Sequence, residues 1–401
     1  MSKLKLAVET ILILGIAFLL FFTGHNWMKA EISDNVHELS GTVISVDNSE
    51  IIQAGAGAVG IQTALVVLGE GKWKGEQVSA INHLNGQLDM DEIYSAGDKI
   101  LLAIQIDNQQ VTYAKAINKY RQNWELALFA LFAVALVLYS QFIGLKALFS
   151  FVASLGLLWC YYIPNLLNGA DPLPLSLSVL VLLSMVIILT VAGVTRHGIA
   201  AFLGTVSGLG VTLGLTLFFG EKLHLGGMTA PFAQTLLMQG NFGLNLQHIF
   251  YSAVLLGASG AAMDIAMDVS VSMNEIKIKR PDIEMRDLIQ SGFNVGRMVI
   301  GTMATTLLLA YSGGYLTMLM VFVSQGTSFT RIVNMKLVAA EIFRILIGSI
   351  GLLMVAPVTA IIAGILLSVY AEEKQLSKGD ELSPTGRRVS PPAPPQGDAS
   401  P

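Results

Sequence analysis

Charge is scarce in this chain. Lys, Arg, Asp and Glu together make up 13% of its 401 residues, against about 25% in an average soluble domain. Hydrophobic residues make up 53% and the mean hydropathy is +0.63, which places the chain among integral membrane proteins. Cysteine is almost missing: Cys160 stands alone in the apolar run SLGLLWCYYI, so no disulfide framework and no cysteine metal site can form, and the redox state of the compartment stays unread. Several catalytic signatures are absent too. There is no HExxH, no GxSxG and no Walker A sequence, which argues against zinc-protease chemistry, a nucleophile elbow and ATP drive within the chain. The net charge of −4 gives no reason to expect nucleic acid, and no cofactor is expected.

The chain opens MSKLKL and then runs apolar from Ala7 to Phe22. A cleaved signal peptide needs small residues in an A-x-A-like pattern, and TGHNWMKAEI offers only Met28 and Ala30 at that spacing. Residues 1–28 therefore read as an uncleaved transmembrane anchor. Residues 29–121 have another texture. Short apolar runs (GTVISV, TALVVLGEG, EQVSAIN, DKILLAIQI, QVTYAKAI) alternate with turn formers at Asp47-Asn48, Gly69 to Gly75, Asn82 to Gly86, Gly97-Asp98 and Asp107-Asn108. Five strands at this spacing predict a small antiparallel barrel or sandwich, with an OB-like barrel as the specific expectation. With Lys3 and Lys5 on the cytoplasmic side, this domain is extracytoplasmic.

A membrane span needs about 20 mostly apolar residues. Spans are expected at Asn123–Phe142, Leu145–Ile163, Leu173–Val194, Gly198–Phe219, Ile249–Val271, Gly296–Tyr311 and Ile345–Tyr370, making eight with the anchor. Tyr315–Val323 is too short to span and reads as a re-entrant or interfacial piece; as a ninth span it would move the C-terminus across the membrane. Eight spans keep Lys374, Lys378, Arg387 and Arg388 on the side of Lys146, Arg196 and the basic loop KIKR, as the positive-inside rule prefers. The expected architecture is thus a polytopic α-helical membrane protein with a small extracytoplasmic all-β (OB-like) domain. It would sit in the plasma (inner) membrane, N-terminus cytoplasmic, with a helical domain over residues 122–370. The Pro-, Ser- and Gly-rich tail, residues 371–401, should be disordered and cytoplasmic.

Within this apolar region the stretch GASGAAMDIAMDVSVSMNEI carries Asp264, Asp268 and Glu275. At about 100° per residue, and with Asp264 as zero, Gly257 and Glu275 fall near 20°, Asp268 near 40° and Gly260 near −40°. Ala262, Ala266 and Val269 lie opposite. Lipid cannot solvate such a stripe, so it predicts an interior or cavity-lining face, with the glycines admitting a close neighbour. The alternative puts the acids at the cytoplasmic interface, in water. Glu275 belongs there in either case. The next helix offers a second polar face. Around Asn294, Gly301 falls near −20°, Thr305 near 20° and Arg297 near −60°. Short-looped neighbours pack, so Arg297 is expected to neutralise one aspartate and leave the other free. Glu341 and Arg344, three apart, can pair on a helix face.

Asp264's stretch, together with SGFNVGR, GTMATTLLLAYSGG and EIFRILIGSIG, resembles the YibE/F-like membrane protein family over roughly Leu39 to Leu367. GASGAAMD and AYSGG carry the resemblance most specifically. It implies an anchor, an extracytoplasmic β domain and a hydrophobic helix bundle, in that order, and it assigns no mechanism and no functional residue.

Three functions follow as expectations. Intramembrane carboxylates point first to a transporter or channel coupled to a cation or a proton. Asp264, Asp268, Asn294 and Thr305 would supply the oxygen ligands that hard cations take. A second reading is a membrane scaffold whose residues 29–121 bind an envelope protein, the buried charges only specifying helix packing. An intramembrane enzyme comes last, because an aspartyl dyad must face itself across a site. Asp264 and Asp268 share one helix, about 6 Å apart along its axis. The lipid bilayer, a cation or small solute, and further copies of the chain are the other expected partners.

Overall fold

The computed structural model describes residues 36–107, 110–240 and 243–381. The expected anchor, the tip of the Asp107-Asn108 turn and the last part of the tail lie outside them. The chain divides into two compact units that meet between Leu148 and Phe149.

The first unit holds five strands, β1 (Val36–Ala54), β2 (Gly57–Leu68), β3 (Gln77–Asn85), β4 (Lys99–Asp107) and β5 (Gln110–Lys119). They close into a barrel in the order β1-β2-β3-β5-β4, the strand number and architecture expected of an OB-like barrel. All pairs are antiparallel except β3 with β5, which meet in parallel through Ala80 and Ile81 against Ala114 and Lys115. Period-two alternation puts Ala64, Val66 and Leu68 of β2 and Ile100, Leu102 and Ile104 of β4 in the core. Two expected turns are not turns. Asp47-Asn48 lies inside β1 at a register shift, where Asp47 Oδ1 accepts the Ser49 N–H at 2.9 Å. A bulge of this kind lets the strand continue, and the hairpin turns at Gly55, whose φ is 64°. Likewise β3 runs through Asn82.

Two buried amides explain why. Gln62 is fully buried in β2. Its Nε2 donates to Asn48 Oδ1 at 2.8 Å and to the Tyr94 carbonyl at 2.9 Å, while its Oε1 accepts from Asn82 Nδ2 at 3.1 Å and Tyr94 N at 2.9 Å. Every polar atom of this amide is used, which ties three strands and the β3–β4 loop to one point. Apolar periodicity cannot reveal such a hub, because Asn and Gln read as turn or surface residues in sequence.

The helices follow. α1 (Gln122–Leu157) runs through a π-helical turn (Leu158–Tyr162) into α2 (Ile163–Leu167). Then come α3 (Pro172–Ala192), α4 (Arg196–Lys222), the short α5 (Ala233–Met238), α6 (Leu246–Lys279), α7 (Met285–Gly314), α8 (Leu316–Ser324), α9 (Phe329–Asn334) and α10 (Lys336–Glu381). Among the described residues six runs are long and apolar enough to cross a membrane: 122–167, 172–192, 196–222, 246–279, 285–314 and 336–368. That is fewer than the eight expected. The anchor falls outside the described residues, and the two spans expected at 123–142 and 145–163 form one run. This run is not straight. Gln141 has φ 50° and ψ −124°, and a Cβ on Gly144 would stand 2.5 Å from the Leu136 carbonyl oxygen. Residues eight apart on a straight helix are separated by about 12 Å, so the chain doubles back at Gln141. α8, with nine residues, is too short to span. α10 continues helical to Glu381, past the expected end at Tyr370.

In the helical unit α6 is the hub, packing on α3, α4, α7 and α10, and α10 packs on α4, α6 and α7. In α4 the glycine pair Gly204 and Gly208 lies against Thr359 and Val355 of α10, whereas Cβ atoms on Gly210 and Gly214 would meet nothing within 4 Å.

The barrel predicts an acid sensitivity. Glu92 accepts the Lys119 N–H at 2.8 Å and pairs with Arg121. Burial pushes its carboxyl up, but Arg121 and the Lys119 N–H outweigh that and hold it below its usual value of 4.5. Asp98 is held down by the Ser95 N–H and by Lys119. A carboxyl lowered in the folded state adds stability above its unfolded pKa and loses it as pH falls through the folded value. The barrel transition in calorimetry should therefore fall in temperature below about pH 4.5, and Glu92→Gln should flatten part of that fall while lowering the transition at pH 7.

Candidate site on the acidic face of α6

The local reason for the α6 face is its heptad-like spacing. Ala258, Ala262, Ile265, Ala266, Val269 and Met273 are buried in the bundle core. Gly257, Gly260, Asp264, Asp268 and Glu275, on the opposite arc, are exposed. So the carboxylates share one helix face, as their spacing requires, but within one chain that face looks out of the helical unit.

The expected partners on α7 do not come to it. α7 docks through Gly292 and Gly296. A Cβ on Gly296 would lie 2.8 Å from Ala356 Cβ of α10 and 3.7 Å from Val269 Cγ2 of α6, and one on Gly292 would meet Met273 and Ala360. With Gly296 as zero, Asn294, Gly301 and Thr305 fall near 160°, 140° and 180°. All three are exposed, Asn294 and Thr305 on the far side of α7 and Gly301 at the rim of its cleft with α10. Arg297, near 100°, donates to Asn294 Oδ1 at 3.4 Å. It lines a cleft of about 470 Å³ between α7 and α10 with Phe293, Ile300, Gly301, Leu353 and Pro357, and it forms no ion pair with Asp264 or Asp268. The closest approach of two helices goes to the barest stripe, and on α7 that is Gly292 and Gly296 rather than the polar face. The spacing Gly292-x-x-x-Gly296 was the available signal.

Gly257 does have a partner. A Cβ there would stand 2.5 Å from the Tyr311 hydroxyl, so the GASGAAMD and AYSGG stretches meet at this contact. Gly260 and Gly301 meet nothing within 4 Å.

Glu341 and Arg344 do pair, Nη1 to Oε1 at 3.5 Å, with side chains 11% and 17% exposed. The Arg344 guanidinium stands 5.7 Å from the Phe250 ring, which stacks on Phe343 at 5.9 Å. Glu341 Oε2 and Arg344 Nε are buried without a hydrogen-bond partner. A half-satisfied buried pair adds little net stability, though removing one partner alone is costly. Among the described residues no group of three or more His, Cys, Asp or Glu side chains is placed to hold a metal ion.

The two glycine positions separate in a stability test. Gly296→Val should lower the unfolding midpoint of the purified protein by the equivalent of about 1–3 kcal/mol through overpacking. Gly301→Ala, with open space at its Cβ, should leave it unchanged or raised, since Ala is the better helix former.

No curated protein and no solved structure matches the chain. The sequence model of the YibE/F-like protein family matches residues 128–369. That stretch is more than half of the chain and contains the Asp264 face, SGFNVGR, AYSGG and EIFRILIGSIG. It begins after the barrel, so the resemblance expected from Leu39 is matched over the helices. The chain belongs to the YibE/F-like protein family.

Proposed function

We propose that this protein moves a cation or a proton across the membrane, with Asp264 and Asp268 as the groups that hold it. The observation that carries this reading is their position. Both stand on the exposed arc of α6, the helix most enclosed by its neighbours, well inside its 34 residues. Neighbouring helices support a position inside the membrane. Ser252 of α6 donates to the Pro172 carbonyl at the start of α3, and α3 needs 21 residues to reach its end at Ala192. Counted from Ser252, Asp264 and Asp268 fall within that length and Glu275 falls beyond it. Two carboxylates at such a depth must be solvated by something other than acyl chains, and a hard cation or a shared proton suits oxygen ligands one helical turn apart.

The same reading puts the protein in the plasma (inner) membrane with its N-terminus cytoplasmic. The basic end of α6 (Lys277, Lys279, Arg280) then lies inside and the barrel outside.

A second reading, a membrane scaffold that acts through the barrel, draws on one feature. A groove of about 410 Å³ crosses the short β3–β5 seam and is lined by Asn82, His83, Asp91, Glu92 and Lys115 beside Met90 and Ile117, a mixed polar and apolar surface suited to an envelope protein.

One pair of variants separates the two. In liposomes loaded with pH- and cation-sensitive dyes, the purified protein should carry flux that Asp264→Asn abolishes. Intact flux in both Asp264→Asn and Asp268→Asn would remove the transport reading. Loss of cellular function on deleting residues 36–120, with Asp264→Asn harmless, would favour the scaffold.

A further inference from the structure

We propose that a second copy of this chain covers the acidic face of α6, and that its Arg297 completes the site formed by Asp264 and Asp268. Gly257 meets Tyr311, but the rest of the face has no partner in its own helical unit: Gly260, Asp264 and Asp268 are exposed, and nothing lies within 4 Å of a Cβ on Gly260. At membrane depth lipid is a poor cover for it.

Charge complementarity selects the occupant. Arg297 is exposed in the cleft between α7 and α10, and its hydrogen bond goes to Asn294, not to a carboxylate. An arginine and a pair of aspartates therefore face outward from the same helical unit. Depth sharpens the match. Copies inserted in one orientation are related by rotation about the membrane normal, and such a rotation leaves depth unchanged. Gly296 stands against Val269, so their chain neighbours Arg297 and Asp268 lie at one level. A rotation alone can bring the Arg297 of one copy to the Asp268 of the next.

The two faces differ, since the acids lie on the outer arc of α6 and Arg297 lies on the α10 side of α7. Their contact is heterologous and closes into a ring when the rotation divides a full turn. The bare Gly260 beside the acids lets a neighbouring backbone approach. Arg297 would neutralise one aspartate and leave the other free. The inference shares with the transport reading only the depth of the face.

The test uses full-length protein in its native membrane, with Cys160→Ser removing the native thiol. A short thiol–thiol cross-linker applied to Asp268→Cys/Arg297→Cys should give a ladder of dimers and larger species on a non-reducing gel, and each single variant should stay monomeric. Cross-linking confined to one chain would overturn the proposal, as would a monomer band whose Asp268→Cys is fully capped by a membrane-permeant maleimide. A ladder from Asp268→Cys alone would also overturn it, by putting two acidic faces together. A charge exchange checks the pair without cysteine. Asp268→Arg should shift the protein to monomer in light scattering, and Asp268→Arg/Arg297→Asp should restore the larger mass. A ladder from the double variant, with no flux from the unsubstituted protein in liposomes, would keep this interface and remove the transport function.

Discussion

A carboxylate in hydrocarbon must be solvated by protein, by water or by an ion, and that constraint governs the reading of this molecule. It is acute on α6. Four helices surround this element, yet they bury its alanine and valine side and leave Asp264 and Asp268 outward. Packing explains the choice. Small apolar residues on α6 let α7 and α10 come close, with Gly292 and Gly296 as the counterpart on α7. Had the acids faced inward, each would have needed a buried partner. The interior does hold one such ion pair, Glu341 with Arg344, and even there two polar atoms stay without a hydrogen bond.

Charge is treated differently in the barrel. Glu92, Asp98, Lys119 and Arg121 form partly exposed pairs that join the β3–β4 loop to the end of β5. The buried amides there, Gln62 and Asn82, are neutral, and Gln62 is fully hydrogen-bonded. Buried amides at this density of partners fix a unique register, which apolar contacts alone specify less sharply. The family match covers the helices, and the acidic face belongs to that part of the chain.

Much of the architecture was legible in the sequence. Five strand-like runs became five strands, and Leu173–Val194 and Gly198–Phe219 became α3 and α4 to within a few residues. The boundary expected between Phe142 and Leu145 sits beside the reversal at Gln141. Periodicity also showed that Gly257, Gly260, Asp264 and Asp268 share a face. What it could not show was the direction of that face. A helical wheel orders residues around one axis but does not say which arc meets a neighbour. Here small size, not polarity, decided: Gly292 and Gly296 of α7 took the contact with Met273 and Val269 of α6, and Asn294 and Thr305 turned away. The bulge at Asp47 and the hub at Gln62 were hidden for a related reason, since their roles come from partners distant in sequence.

The most direct test of this account is a structure of the protein in a lipid bilayer, read for what lies against Asp264 and Asp268. The account predicts both carboxylates within the hydrocarbon layer, covered by a second copy with its Arg297 at their level. Carboxylates lying in bulk water outside that layer, or an acidic face packed only against acyl chains, would contradict it.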